Sequence, residues 1–340
     1  MAAVEQTTES PPRATREARL VSVVAPVFNE EATIDEFVRR VVAALAEHEF
    51  ELVLIDDGST DDTPTRLEQI ADNDPRVRVV TLSRNFGHQA ALTAGLDHAR
   101  GDAVVMMDSD LQDPPELIPT MLEHWARGSD VVYAVRAERS GETRLKLTTA
   151  GWFYRLFSRL AQIELTQNAG DFRLFDRSAL DALNSMRERN RFLRGMSVWV
   201  GFTQTAVPYD RDARHAGETK YTLRKMVRFA LDAIFSFSHQ PLQVATLAGF
   251  VVAFIAFLGI PVAIGLKLAG EYVSGITTVL LAVLLLGGIQ LITVGIIGEY
   301  LGRVYDEVKR RPLYLVRSRR NMAPSADAAD PVDGERAIRR

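Results

Sequence analysis

Residues 103–115 read Ala103-Val-Val-Met-Met-Asp108-Ser-Asp110-Leu-Gln-Asp113-Pro-Pro115. The apolar run Ala103–Met107 has the length and character of a buried strand in a parallel sheet. Three carboxylates then fall within six residues, and Pro114-Pro115 stops the strand and can open a helix. Asp108 and Asp110 are two apart, so extended backbone points them the same way. Carboxylates held that close repel unless a proton or a cation lies between them. A hard divalent cation that leaves positions open for phosphate oxygens suits such a pair. A strand end with solvated acids reads as well from this stretch alone, so the rest of the chain has to decide.

The chain before it repeats one pattern. Leu20–Val27 is a β-branched run followed by Phe28-Asn29-Glu30-Glu31 and an amphipathic helix to about Glu47, with Ile34, Phe37, Val38, Val41, Val42 and Leu45 at helical spacing. Leu52–Ile55 is a second buried strand, closed by Asp56-Asp57-Gly58-Ser59-Thr60-Asp61. Val77–Leu82 is a third, Asn85–Ala99 a helix, Pro115–Arg127 another, and Asp130–Val135 a fifth strand. Strands alternating with helices predict βαβ units in a doubly wound, mostly parallel α/β sheet. Ligands of such sheets lie beyond the carboxyl ends of the strands. Pro26 and Asn29, Asp56 and Asp57, Ser83 and Arg84, and Asp108 and Asp110 all fall there, which predicts a shared crevice. No G-x-G-x-x-G follows the first strand and no G-x-x-x-x-G-K-[ST] occurs. Acidic clusters bind a polyphosphate only through a cation, which returns the argument to Asp108 and Asp110.

Composition narrows the classes. A net charge of −4 over 340 residues argues against a general nucleic-acid binder. The absence of cysteine excludes disulfides and thiolate metal sites. Residues 1–19 lack the apolar core of a signal peptide and read as a disordered lead-in, as does the tail after about Arg317. Apolar residues concentrate after residue 241: Leu242–Leu266 and Val273–Gly298 carry no charge, and each is long enough for a hydrocarbon core of about 30 Å. Arg224, Lys225 and Arg228 precede this region, and Arg303, Lys309, Arg310 and Arg311 follow it. That bias places both termini and the α/β domain in the cytoplasm, on a multi-pass protein of the inner membrane. Gly287, Gly288, Gly295 and Gly298 permit close helix contacts and invite a homo-oligomer. Thr222–Ser238 has Leu223, Met226, Val227, Ala230, Leu231, Ile234 and Phe235 on one stripe and cations on the other, which suits a helix lying in the headgroup layer or a core helix. The expected organisation is a lead-in (1–19), a cytoplasmic α/β domain (20–220), an interfacial helix (221–240), a two-helix membrane region (241–300) and a juxtamembrane tail (301–340).

Four segments, Val23–Glu31, Asp56–Asp61, Ser83–Leu92 and Met107–Glu116, resemble family 2 inverting glycosyltransferases, and more closely the polyprenyl-phosphate type that includes dolichol-phosphate mannose synthase and bactoprenol glucosyltransferase. The likeness covers about residues 20–310. It implies a GT-A domain, a nucleotide-sugar donor (a UDP-sugar such as UDP-glucose), a polyprenyl phosphate acceptor such as undecaprenyl phosphate, and Mg²⁺ or Mn²⁺. It also implies a homo-oligomer, tetrameric in the family, among membrane lipids. By the same resemblance Pro26, Asn29, Glu30, Asp56, Asp57, Arg84, Asp108 and Gln112 face the nucleotide sugar, and Asp110 with Asp108 carries the metal.

The acceptor side is less sharply marked. Asn168–Arg177 resembles the family's Gly-Asp-Phe-Arg stretch, in which Asp171 would sit beside the acceptor as base or positioning group; alternatively it is a turn residue paired with Arg173. A phosphate monoester has its second pKa at about 6, so near neutrality it is already a nucleophile and needs little help from a base. Arg191 and Arg194, read as one helical face, meet a diphosphate or pair with surface acids. Arg211, Arg214 and Lys220 bind the lipid phosphate or serve as juxtamembrane charge. The Gln-x-x-Arg-Trp motif of processive synthases is missing, which favours single sugar transfer over a polysaccharide synthase with a hydroxyl acceptor. The intact acidic motif argues against an inactive membrane scaffold.

Overall fold

The computed structural model describes residues 16–136, 169–209, 240–269 and 275–322. Arg211, Arg214, Lys220 and the expected interfacial helix lie outside them. Eight strands form one sheet in the order β7-β5-β6-β4-β1-β2-β3-β8. The strands are β1 (Val21–Val27), β2 (Phe50–Asp56), β3 (Val77–Leu82), β4 (Ala103–Met106), β5 (Val131–Arg136), β6 (Ala169–Asp176), β7 (Gln204–Tyr209) and β8 (Val316–Arg320). The helices are α1 (Ile34–Ala44), α2 (Thr63–Asn73), α3 (His88–His98), α4 (Ile118–Ala126, entered through a 3-10 turn at Pro115–Leu117), α5 (Arg177–Ser185), α6 (Leu193–Trp199), α7 (Gln240–Leu268) and α8 (Ile276–Val308).

The β1–β4 run follows from its composition. All seven residues of β1 and of β2 are buried, as a strand covered on both faces requires. Val23, Leu52 and Leu54 pack against Phe37, Val41 and Leu67 of α1 and α2 on one face. Val24, Val53 and Ile55 pack against Leu92 and Leu96 of α3 on the other. Gly95 sets the depth of that second layer, because a Cβ there would lie 2.1 Å from Val24 Cγ1. At the amino ends of the strands, Glu51 is buried with Arg78, accepts from Ser22 Oγ at 2.6 Å and takes the Arg100 N–H at 2.7 Å. A buried charge is tolerable only when paired and hydrogen-bonded in this way.

The sheet is more mixed than the sequence suggests. β6 runs antiparallel to both β4 and β5, and β8 antiparallel to β3. The β8 segment, Val-Arg-Ser-Arg-Arg, was expected at the start of a disordered tail. It lacks an apolar stripe because it is an edge strand, where charge outward is the common protection against further pairing. Arg320 of β8 reaches Asp72 at 2.7 Å and Glu68 at 3.3 Å on α2.

The carboxyl-terminal part is two long helices that touch one another. α8 has 33 residues, about 50 Å at 1.5 Å per residue. Among the described residues one stretch, Leu285–Val308, is long and apolar enough to cross a membrane. Its Leu291, Ile292, Leu301 and Val308 are exposed, as are Phe250, Phe254 and Phe257 of α7.

Candidate active site

From β1 the chain moves outward one way through β2 and β3, then returns to place β4 on the other side of β1. The loops after β1 and β4 therefore diverge and leave a crevice between them, the switch point of an open α/β sheet. A cleft of about 350 Å³ lies there, and Glu30, Asp57, His88, Asp108 and Asp110 supply its charge. Pro26, Phe28, Asn85 and Gly87 complete the walls.

The loop after β2 holds the wall in shape. Asp57 accepts the N–H groups of Phe86 and Gly87 at 2.7 and 2.9 Å, tying the entry of α3 to the end of β2. Gly58 has φ 72°, and a Cβ on it would lie 2.6 Å from the Arg84 carbonyl carbon, so the two loops meet only with glycine there. Asp56 is buried and accepts from Ser59 N–H at 2.9 Å. Asn29, in left-handed backbone at φ 55°, receives Thr60 N–H on its side chain at 2.8 Å. Asn29 and Asp56 thus brace the loops, while Asp57 both braces and lines the cleft. Arg84 is turned onto its own loop, 4.2 Å from the Phe86 ring centroid and 2.8 Å from Asn85 O.

Beyond β4 the acids separate in role. Asp108 and Asp110 both line the cleft. Asp108 Oδ1 is enclosed and accepts no hydrogen bond, although His88 Nε2 stands 3.5 Å away. Burial pushes the Asp108 carboxyl up to about 6, reinforced by Asp171, Asp110 and Asp113 and opposed by His88. Asp110 accepts the Gln112 N–H at 3.0 Å. The buried Gln112 side-chain nitrogen, Nε2, has no partner. Asp113, the third acid, is buried and accepts a hydrogen bond from the Tyr209 hydroxyl. Arg136 Nε donates in turn to that phenol oxygen at 3.3 Å. Burial together with Asp113 drives the phenol to about 12, so it stays a donor.

His88 joins the two halves of the site. Its Nε2 is 3.5 Å from Asp108 Oδ1 and 3.5 Å from Asp171 Oδ2. Asp171 lies on β6, and Arg194 of α6 approaches its other oxygen at 3.3 Å. Burial would raise the Asp171 carboxyl, but His88, Arg194 and Arg173 outweigh it and hold the group at about 2. Asp171 is therefore a strand residue between the His88 imidazole and the Arg194 guanidinium, and no turn pairing with Arg173 is formed. Arg173 points elsewhere: it is buried, donates to Ser197 Oγ and lies 5.4 Å from the Tyr133 ring centroid.

Arg191 does not face the cleft. It precedes α6 rather than sharing a helical face with Arg194, and its guanidinium donates to the carbonyls of Met186 and Leu183 at 2.7 and 3.3 Å. It closes the end of α5, because carbonyls in the last turn of a helix lack intrahelical partners. His88, Tyr209 and Arg136 were not singled out in the sequence. His88 lay inside a quoted motif, and only its place between two carboxylates gives it a role.

The residues fit a divalent ion in part. Among the described residues no three metal-ligating side chains converge on one point. An enclosed, unpartnered carboxylate oxygen beside a second carboxylate is nevertheless the donor set expected where a substrate diphosphate and water complete the coordination.

Comparison with known proteins decides the family. The model for glycosyl transferase family 2 matches residues 22–183. An uncharacterized glycosyltransferase of Bacillus subtilis, YkcC, is 47% identical over 299 residues, covering 87% of this chain and 93% of its own. The chain belongs to glycosyl transferase family 2. The bactoprenol glucosyl transferase of Shigella phage SfX is 44% identical over 303 residues, covering 88% of this chain and 99% of its own. Among solved structures, glucosyl-3-phosphoglycerate synthase of Mycobacterium tuberculosis, crystallised with Mn²⁺, UDP-glucose and phosphoglyceric acid, is similar over 64% of this chain and 78% of its own, with 24% identity and a TM-score of 0.43. This family 2 protein is a glycosyltransferase, and its cleft lies inside the matched region.

Proposed function

We propose that this glycosyltransferase moves a sugar from a nucleoside diphosphate donor, a UDP-sugar, to the phosphate of a polyprenyl lipid at the inner membrane. The observation that carries the reading is the enclosed, unpartnered Asp108 oxygen beside Asp110 in the crevice between the β1 and β4 loops. Support for the acceptor comes from the bactoprenol glucosyl transferases at 44% identity and from the apolar stretch Leu285–Val308.

In this reading the nucleoside lies along Pro26–Glu30 and Asp57, on a wall braced by Asn29 and Asp56. The buried Gln112, whose side-chain nitrogen has no protein partner, is assigned to the donor. Asp110 and Asp108 hold Mg²⁺ or Mn²⁺, which when bound neutralises the departing diphosphate. An oxygen of the lipid phosphate attacks the anomeric carbon from the face opposite the diphosphate. The new C–O bond forms as the bond to the diphosphate oxygen breaks, and that oxygen leaves with the electron pair. The configuration inverts. No proton has to be removed, because the phosphate arrives as a dianion. Asp171 therefore serves as a positioning group: held ionised, it fixes Arg194 and His88 at the side from which the acceptor enters. Arg194, with Arg211, Arg214 and Lys220, is assigned to phosphate.

α7 and α8 form the two membrane helices, with the catalytic domain and both termini in the cytoplasm and the chains associating as a homo-oligomer. The test is transfer of labelled sugar from UDP-sugars into an organic-extractable lipid labile to mild acid, with and without chelator. Label in insoluble polymer, or turnover indifferent to chelator and to Asp110→Asn, would refute the proposal.

A further inference from the structure

Strand β6 carries a cation where its surroundings favour an apolar side chain. Arg173 stands opposite Met106 of β4 and Tyr133 of β5 in the register of the sheet, and only 2% of it is exposed. It shares a face of the strand with Asp171 and with Phe175, which packs in the apolar layer that includes Leu193 and Met196 of α6. Its partners are all neutral. Nε donates to Gly170 O at 3.4 Å, Nη1 donates to Ser197 Oγ, and the Tyr133 ring centroid lies 5.4 Å away. Among the described residues it forms no ion pair. Burial, with Arg194 close by, lowers the guanidinium to about 10, so it is still a cation near neutrality. A buried charge without a counter-ion weakens a fold, and an apolar side chain of similar length would pack at less cost. Stability therefore does not account for Arg173.

What it reaches is α6. Ser197 is fully buried, and its hydroxyl accepts from Arg173 and donates to Arg194 O at 2.9 Å. The carbonyl of the same serine accepts from Gln204 Nε2 at 2.7 Å. A helix of seven residues does not hold its own shape, so these bonds decide where its first turn stands. Arg194 is in that turn. Its Nε and Nη2 both lie 3.3 Å from Asp171 Oδ1, while Nη1 has no hydrogen bond among the described residues and 31% of the side chain reaches solvent.

We propose that Arg173 is a positioning residue for acceptor binding: through Ser197 it holds the turn of α6 that aims Arg194 at a phosphate monoester. The inference rests on the assignment of Arg194 to the acceptor phosphate. Two long contacts to one carboxylate oxygen orient a guanidinium only loosely. Fixing the backbone at Arg194 O removes much of the remaining freedom. A guanidinium meets phosphate through two parallel bonds, so a small rotation of the helix is felt in affinity.

The test is isothermal titration of the full chain in non-ionic detergent with farnesyl phosphate and, separately, with UDP and Mn²⁺. Arg173→Met should weaken farnesyl phosphate about tenfold, the worth of one charge-assisted hydrogen bond. It should leave UDP and Mn²⁺ binding unchanged and keep Tm at or above that of wild type. Ser197→Ala, which cuts the link at its middle, should weaken farnesyl phosphate by a similar factor. In an Arg194→Ala background the further effect of Arg173→Met should fall below about twofold, because nothing is left to position. A full effect in that background, an unchanged affinity in Arg173→Met, or a lowered Tm with equal loss of both ligands would overturn the proposal. Arg194→Ala alone separates the two layers of the argument. Unchanged farnesyl phosphate binding there removes the assignment of Arg194 and this inference with it, whereas weakened binding there and none lost in Arg173→Met refutes the positioning role alone.

Discussion

Asp108→Asn should make the metal-free protein more stable while ending sugar transfer. The Asp108 carboxyl is pushed up to about 6 from 3.8. A displacement of about two pH units corresponds to roughly 3 kcal/mol against the ionised form in a fully enclosed site. Since 35% of the side chain reaches solvent, screening reduces this to about 1–2 kcal/mol. The sign follows from proton binding. The folded chain keeps this proton up to about pH 6, whereas the unfolded chain releases it near pH 4, so the penalty grows between those values and is complete above them. Asparagine keeps the shape and removes the charge. In chelator at about pH 7.5 the variant should melt roughly 3–6 °C above wild type, and at about pH 4 the two should coincide. Added Mn²⁺ should raise the wild-type Tm and not that of the variant. Thermal unfolding at both pH values, with transfer into extractable lipid measured alongside, checks all three outcomes. A variant that melts below wild type at the higher pH, or that still turns over, would show that Asp108 is an ordinary structural carboxylate.

Other substitutions separate bracing from chemistry. Arg191→Ala should lower Tm by a few degrees and leave KM for the donor unchanged, since its bonds go to the end of α5; a tenfold rise in KM would return it to the site. His88→Ala should lower kcat more than it changes donor KM, because it removes one of the two groups that hold the Asp171 carboxylate, and an unchanged kcat in steady-state transfer would refute that role. Gly95→Ala drives a methyl into Val24 and should cost about 1–3 kcal/mol by overpacking; an unaltered Tm would mean that α3 is free to move away from β1.

The parallel centre of this fold was legible because its cause is local. A strand covered on both faces must be mostly apolar, and β1 to β4 are, apart from the paired cluster Ser22, Glu51 and Arg78 near their amino ends and Thr81 and Asp56 near their carboxyl ends, so their limits could be read to within a few residues. The acid pair was equally visible, since carboxylates at strand ends in an alternating α/β chain converge for topological reasons. The edges were not legible. β8 is five residues of which three are arginine, and only the partnering of β3 makes it a strand. β6 reverses direction beyond residues 137–168, and nothing local encodes which way a distant segment returns.

Side-chain roles divided in the same way. Residue type and spacing marked Asp57, Asp108 and Asp110, while tertiary packing alone turned Arg191 onto the end of a helix and buried Asp113 under Tyr209. The same packing set His88 between two carboxylates that lie 63 positions apart in the chain (171 − 108). A sequence carries charge and periodicity, which fix what a residue is able to do. Its neighbours across the sheet, set by long-range packing, fix what it is left free to do.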